Sequence, residues 1–241
     1  MILKETKYLF ERNVERLKKN SSLNYALVDM NEKMEVNNDE HLSFLSKKEI
    51  EYLKAFKIYK KKIQWICGRY AVKKAFFKYK ISRKSIVDLS CVDVLKGADS
   101  APYILQYPNI NVSITHSFPY CVGVISESKV GVDIEKFFTV EDSLIDFFFS
   151  DREKSLLSKI TDPHQRNVQA IKYWTRKEAV SKFLRLGMKM NFKELDTVDN
   201  ELKIGNYKIS LFSFEFSDCC LSLAIQIGDG SSDSIWGRFL N

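Results

Sequence analysis

Hydrophobic and polar positions change period several times along the chain, and each change predicts an element. Ser46-Lys47-Lys48-Glu49 is a capping box, in which the serine hydroxyl and the glutamate carboxylate satisfy amides at a helix start. A second helix is predicted from about Lys62 to Tyr79, with Ile63, Ile66, Ala71 and Phe76 on its inner face. Between residues 90 and 134 the segments CVDVL, NVSIT, YCVGVIS and VGVDI are short, rich in Val and Ile, and separated by Pro, Gly or Ser, as strands are. Ser150-Asp151-Arg152-Glu153 is another capping box, and Asp162-Pro163 offers an N-cap followed by proline at the first helical position. From there a long helix is predicted toward Gly187 as its C-cap. YKISLFSFEF and CCLSLAIQI alternate as further strands. The order of helices, strands, helices, strands predicts an α+β fold of two halves, residues 1–127 and 128–241.

Charge separates these halves. The net charge of +7 arises entirely in residues 1–127, which hold 22 Lys/Arg against 14 Asp/Glu, whereas residues 128–241 hold 16 against 17. Residues 47–84 carry 14 basic and 2 acidic side chains, a face suited either to a polyanion or simply to solvent. With 45% apolar residues the chain can bury a sizeable core. Its first residues, MILKETKYLFERNVERLKKN, mix charges into the apolar positions and read as neither signal peptide nor membrane span, so a cytoplasmic protein with no membrane association is expected. Five cysteines without metal-ligand spacing favour buried thiols over disulfides or zinc.

The candidate chemistry begins at Val130-Gly131-Val132-Asp133-Ile134-Glu135. Two carboxylates two residues apart on a strand share one face, where they repel each other unless a counter-ion such as Mg²⁺ sits between them; a water-facing strand end also accounts for this pattern. Trp174, Glu178 and Lys182 recur at four-residue intervals along one helix face. They read either as an ordinary surface pair or as a third carboxylate with a phosphate-neutralising lysine. His116, in Thr115-His116-Ser117, ends an alternating strand and can hold a phosphate or be a satisfied turn residue. No GxSxG elbow accompanies Ser117, which argues against a serine nucleophile. Arg69 and Lys73 lie four apart in the basic helix, a spacing compatible with phosphate or with solvent.

In their joint order GRYAVKKA, SITHS, GVDIE, FFSDRE and WTRKEAVSKFLRLG resemble the surfactin-type 4′-phosphopantetheinyl transferase family, over roughly residues 44–187. The resemblance implies a pseudo-dimer of two similar α+β halves holding coenzyme A, and transfer of the phosphopantetheine group of that co-substrate to a serine of an apo acyl or peptidyl carrier protein, with release of 3′,5′-ADP. It implies that Asp133, Glu135 and Glu178 hold Mg²⁺, with Mn²⁺ as an alternative ion. It makes Glu178 the base, places Lys182 on the phosphates, and puts Thr115, His116, Arg69 and Lys73 on coenzyme A. Ser100-Ala101-Pro102 stands where the family commonly has Gly-Lys-Pro, so Pro102 matches and a lysine contact is missing. Thr115 replaces the usual serine and keeps its hydroxyl. A monomer is expected, without nucleic acid. The rival readings are a metal-dependent nuclease using Asp133-x-Glu135-Lys136 and a nucleic-acid-binding module with Tyr59, Trp65, Tyr70 and Phe77 as stacking groups. The first leaves THS and WTRKEAVSK unexplained, and the second gives the three carboxylates no role.

Overall fold

The computed structural model describes residues 22–31 and 42–228. The N-terminal segment 1–20, read above as neither signal peptide nor membrane span, lies outside the described residues. Among the described residues no helix is long and apolar enough to cross a membrane. Contacts divide the chain between Ser128 and Lys129 into two units.

The first unit contains β1 (Asn24–Asp29), α1 (Lys47–Leu53), α2 (Tyr59–Ser82), β2 (Val94–Lys96), β3 (Pro102–Ile104), β4 (Asn111–Ser117) and β5 (Tyr120–Ser126). Its strands form one antiparallel sheet in the order β1-β5-β4-β3-β2. Along one side of α2, Val72, Ala75 and Phe76 pack with Ala26, Val94, Ile104, Val112 and Ile125 of the sheet. The predicted inner face is therefore buried, and the helix extends beyond the predicted bounds at both ends. The sequence pattern does not predict β1, because Asn24 through Val28 are all buried and the strand shows no alternation for a period of two to reveal.

The second unit contains β6 (Val130–Lys136), α3 (Asp142–Phe148), α4 (Asp151–Leu157), α5 (Pro163–Leu184), β7 (Glu201–Ile204), β8 (Tyr207–Glu215) and β9 (Cys219–Gln226). Its antiparallel sheet runs β6-β9-β8-β7, and Ala179, Val180 and Phe183 of α5 pack with Leu211 and Ala224. The Asp162 side chain caps α5 with proline in the first turn, as the sequence predicts. The helix ends earlier than Gly187. Arg185 takes the left-handed C-cap conformation at φ 60°, with its amide bonded to Lys182 and that of Leu186 bonded to Ser181.

In each unit the long helix lies against a strand glycine. A β-carbon on Gly123 would strike the backbone of Ala71 and Val72 in α2, and one on Gly131 would run into the carbonyl of Ala179 in α5. Glycine at 131 thus sets how near β6 comes to α5, two residues before Asp133 and beside Glu178.

Both capping boxes form, and each caps a helix with a buried glutamate. Glu49 takes an ion pair from Lys73 of α2, and Glu153 takes one from Lys177 of α5 at 2.7 Å, all four side chains being fully buried. Amides complete each carboxylate: Ser46 and Val94 donate to Glu49, and Ser150 and Thr197 donate to Glu153. A box that opens a short helix therefore also anchors the long helix that follows it.

Candidate active site

Strand β6 and helix α5 supply the acidic groups. Alternation along β6 puts Gly131, Asp133 and Glu135 on one face, and the approach of Gly131 to Ala179 identifies it as the face toward α5. Lys182 of α5 donates to Asp133 Oδ1 at 2.6 Å. Glu178, one helical turn before Lys182, stands close enough to the strand carboxylates for them to act on it. Its carboxyl is pushed up to about 7, first by burial and then by the negative charges of Asp133 and Glu135, with Lys182 opposing. The structure thus brings together four residues that sequence spacing had placed on two separate elements.

These groups are neighbours rather than a finished cage. Among the described residues no group of three or more His, Cys, Asp or Glu side chains is set at metal-holding distance. The donor chemistry nevertheless fits a hard divalent cation. Three carboxylates supply only oxygen ligands, and the burial and mutual repulsion that together raise Glu178 are what such an ion offsets.

An apolar cavity of about 330 Å³ opens beside Glu135, and its walls include Phe138, Leu144, Phe148, Trp174 and Met188. Of these, sequence spacing singled out only Trp174, on the Glu178 face. The others come from the loop after β6, from α3 and from the turn after α5. No short sequence window marks them; in the fold, Phe138, Leu144, Phe147 and Met188 stand as large apolar side chains left exposed.

The candidates of the first unit are more scattered. Lys73 is 0% exposed. Its ammonium is held by Glu49 and by the carbonyls of Phe44 and Leu89, so it is an internal strut and not a phosphate-binding group. Burial lowers its pKa against the pull of Glu49. Arg69 is also turned inward: its Nε donates to the Val94 carbonyl at 3.3 Å, and its guanidinium lies 4.3 Å from the Trp65 ring centroid. Burial brings its pKa down to about 10. The helical spacing of four was right for a shared face, but that face meets the protein interior.

Thr115 and His116 are consecutive residues of β4 and so point to opposite faces; Thr115 is 4% exposed while His116 is exposed. The pair therefore does not present both side chains to one ligand. Pro102 begins β3, half-buried, and its cross-strand neighbour is the exposed Lys96 of β2. Sequence reasoning missed that lysine, because only the hairpin register carries it to Pro102.

Comparison with known proteins bears on the second unit. Residues 129–226 match the family described as the 4′-phosphopantetheinyl transferase superfamily. The 4′-phosphopantetheinyl transferase psf-1 of Bacillus pumilus is 28% identical over 88 residues, covering 36% of this chain and 37% of that protein. The transferase ffp of Bacillus subtilis is 35% identical over 82 residues, covering 34% and 36%. The chain thus spans little more than a third of the length of these relatives. Among solved structures, the holo-[acyl-carrier-protein] synthase of Helicobacter pylori in complex with coenzyme A is 22% identical, covering 43% of this chain and 97% of that one, with a TM-score of 0.34. The Thermotoga maritima synthase is 18% identical, covering 53% and 73%, with a TM-score of 0.35. At these TM-scores neither likeness bears on activity. Asp133, Glu135, Glu178 and Lys182 all fall inside residues 129–226, the segment that matches the 4′-phosphopantetheinyl transferase superfamily.

Proposed function

We propose that this protein is a Mg²⁺-dependent transferase that moves the 4′-phosphopantetheine group of coenzyme A to a serine of an apo acyl or peptidyl carrier protein. The observation that carries the reading is the convergence of Glu178, Asp133, Glu135 and Lys182 inside the segment that matches the superfamily.

Asp133, Glu135 and Glu178 would hold Mg²⁺, which when bound offsets the charge of the pyrophosphate. Glu178 serves as the base that takes the proton of the carrier serine. The carrier serine Oγ forms a bond to the β-phosphorus of coenzyme A as its proton passes to Glu178. The bond from that phosphorus to the bridging oxygen breaks, and 3′,5′-ADP leaves with the electron pair. Lys182 is half-buried, with its ammonium at Asp133, and can shift to a phosphate oxygen as negative charge grows there. The cavity lined by Phe138, Leu144, Phe148 and Trp174 offers the uncharged pantetheine arm an apolar wall beside Glu135.

In the first unit His116 and Lys96 are exposed, and Lys96 is the cross-strand neighbour of Pro102. The nuclease reading gives no role to the Glu178–Lys182 face, whereas phosphoryl transfer uses all four groups. A monomeric, cytoplasmic enzyme is the corresponding cellular picture.

Intact-mass analysis of several apo carrier proteins, incubated with this protein, coenzyme A and Mg²⁺, tests the activity. The expected result is the mass gain of one phosphopantetheinyl group, abolished by a chelator. No gain on any carrier that a reference transferase modifies would refute the assignment.

A further inference from the structure

Beneath the acidic groups, helix α5 is fastened to its sheet by a chain of hydroxyls, fully buried at Thr175 and Ser222 and half-buried at Ser213. Thr175 Oγ1 lies 2.8 Å from Ser222 Oγ on β9, Ser222 Oγ lies 2.9 Å from Ser213 Oγ on β8, and Arg176 Nε donates to Ser213 Oγ at 2.9 Å. Thr175 Oγ1 also reaches the Lys172 carbonyl at 3.1 Å and Cys220 Sγ at 3.7 Å, and in each of the two hydroxyl pairs either oxygen can donate. Arg176 closes the other end, with three of its other four N–H groups held by the carbonyls of Thr197 and Val198 and by Asn200 Oδ1. Hydrogen bonds linked in a chain to a cation strengthen one another, and because Thr175 and Ser222 are fully buried, losing either hydroxyl leaves a neighbour with one partner fewer.

The position of this chain matters. Thr175 and Arg176 are consecutive in α5, and Glu178 follows within one helical turn. Ser222 is the direct cross-strand partner of Asp133. The chain therefore ties the helix segment that carries Glu178 to the strand beside the one that carries Asp133. Packing alone does not require hydroxyls here, since Val at 175 and Ala at 222 would fill similar space, and removing both partners of a buried hydrogen bond can be nearly neutral for stability.

We propose that Thr175, Ser222 and Ser213, anchored by Arg176, are positioning residues that fix the separation of Glu178 from Asp133 and Glu135, and so set the affinity of the site for a divalent cation. This rests on the reading of those carboxylates as one metal site.

Mn²⁺ affinity, read by electron paramagnetic resonance on the full chain, tests it for wild type, Thr175→Val, Ser222→Ala and Thr175→Ser, with thermal melts alongside. Folded Thr175→Val and Ser222→Ala should bind Mn²⁺ about tenfold to a hundredfold more weakly, the range for a lost partner behind a metal ligand. Thr175→Ser, which keeps the hydroxyl, should restore affinity. With an apo carrier as substrate, kcat should fall in the same two variants while KM for coenzyme A holds. Wild-type Mn²⁺ affinity in folded Thr175→Val would overturn the proposal, and if that variant does not fold, Ser222→Ala decides on the same criterion. Wild-type protein that binds Mn²⁺ but modifies no carrier refutes the transferase reading, while the affinity series still decides this one. Wild-type protein that binds no Mn²⁺ overturns the inference itself.

Discussion

The two units solve the same folding problem with the same parts and then diverge one residue later. In the first, Ser46-x-Lys48-Glu49 caps a short helix, Lys48 pairs with Asp93, and Glu49 pairs with Lys73 of the long helix, 24 residues on. In the second, Ser150-x-Arg152-Glu153 caps a short helix, Arg152 pairs with Asp196, and Glu153 pairs with Lys177 at the same spacing. The residue after each buried lysine is Lys74 in the first unit and Glu178 in the second, and the residue four further on is Lys78 and Lys182. Lys78 donates to the Tyr25 carbonyl, whereas Lys182 donates to Asp133. A repeated scaffold thus carries a basic face in one copy and an acidic, metal-compatible face in the other. The buried pairs belong to the scaffold, and the chemistry lies in the residues that differ.

The sharpest way to break that comparison is to exchange charge at the two equivalent positions. Glu178→Gln should lower carrier modification by roughly 10²–10⁴, the size of a lost general base, while intact-mass assays show Lys74→Gln active within a few-fold. Comparable losses in both variants would mean that the halves contribute alike and that the acidic face is not the seat of the reaction.

A second test asks whether the scaffold parts are as equivalent as they look. Removing one partner of a fully buried ion pair typically costs 3–5 kcal/mol because the other charge is stranded, so Lys73→Met and Lys177→Met should each destabilise by about that much in urea unfolding. Small differences should follow the donors left behind. Glu153 keeps two amides and the Thr197 hydroxyl at 2.6 Å, whereas Glu49 keeps two amides. Lys73→Met should therefore be the costlier change. A negligible cost for Lys73→Met would reopen the possibility that this lysine serves a ligand.

What could be read from the sequence divides along the same line. Both capping boxes, strands β4, β5, β6, β8 and β9 and the Asp162-Pro163 helix start are local signals, and local chemistry determined them. Asp133, Glu135, Glu178 and Lys182 could be found because strand and helix periods placed each pair on one face. Lys73 was misread because a spacing of four says which residues share a face but not whether that face meets water, and its partner Glu49 was visible only as a cap. Thr115 and His116, adjacent in sequence, fall on opposite faces of β4, which strand alternation dictates and the resemblance does not reveal. Lys96 and the hydroxyl chain depend on cross-strand register, which no short window contains.

The smallest expected effect separates the units by pH. Glu178 carries a carboxyl whose ordinary value of 4.5 rises to about 7 in the folded protein, chiefly through burial and then through Asp133, whereas the equivalent position in the first unit has no carboxyl. Below pH 4.5 Glu178 is protonated in both states, and its contribution to stability is fully present. As pH climbs toward 7 the unfolded chain has already released this proton while the folded protein holds it, so stability falls, and the loss is complete above the folded value. The shift corresponds to at most about 3 kcal/mol, at 1.36 kcal/mol per unit. In the presence of a chelator, urea unfolding from pH 4 to pH 8 should therefore show wild type losing stability relative to Glu178→Gln, with the two curves converging at the acid end. Added Mg²⁺ should restore part of the wild-type loss at pH 8 and none in the variant if Glu178 is a ligand. Parallel curves across the whole range would show that Glu178 ionises as an exposed glutamate does, and would remove the electrostatic contrast between the two halves.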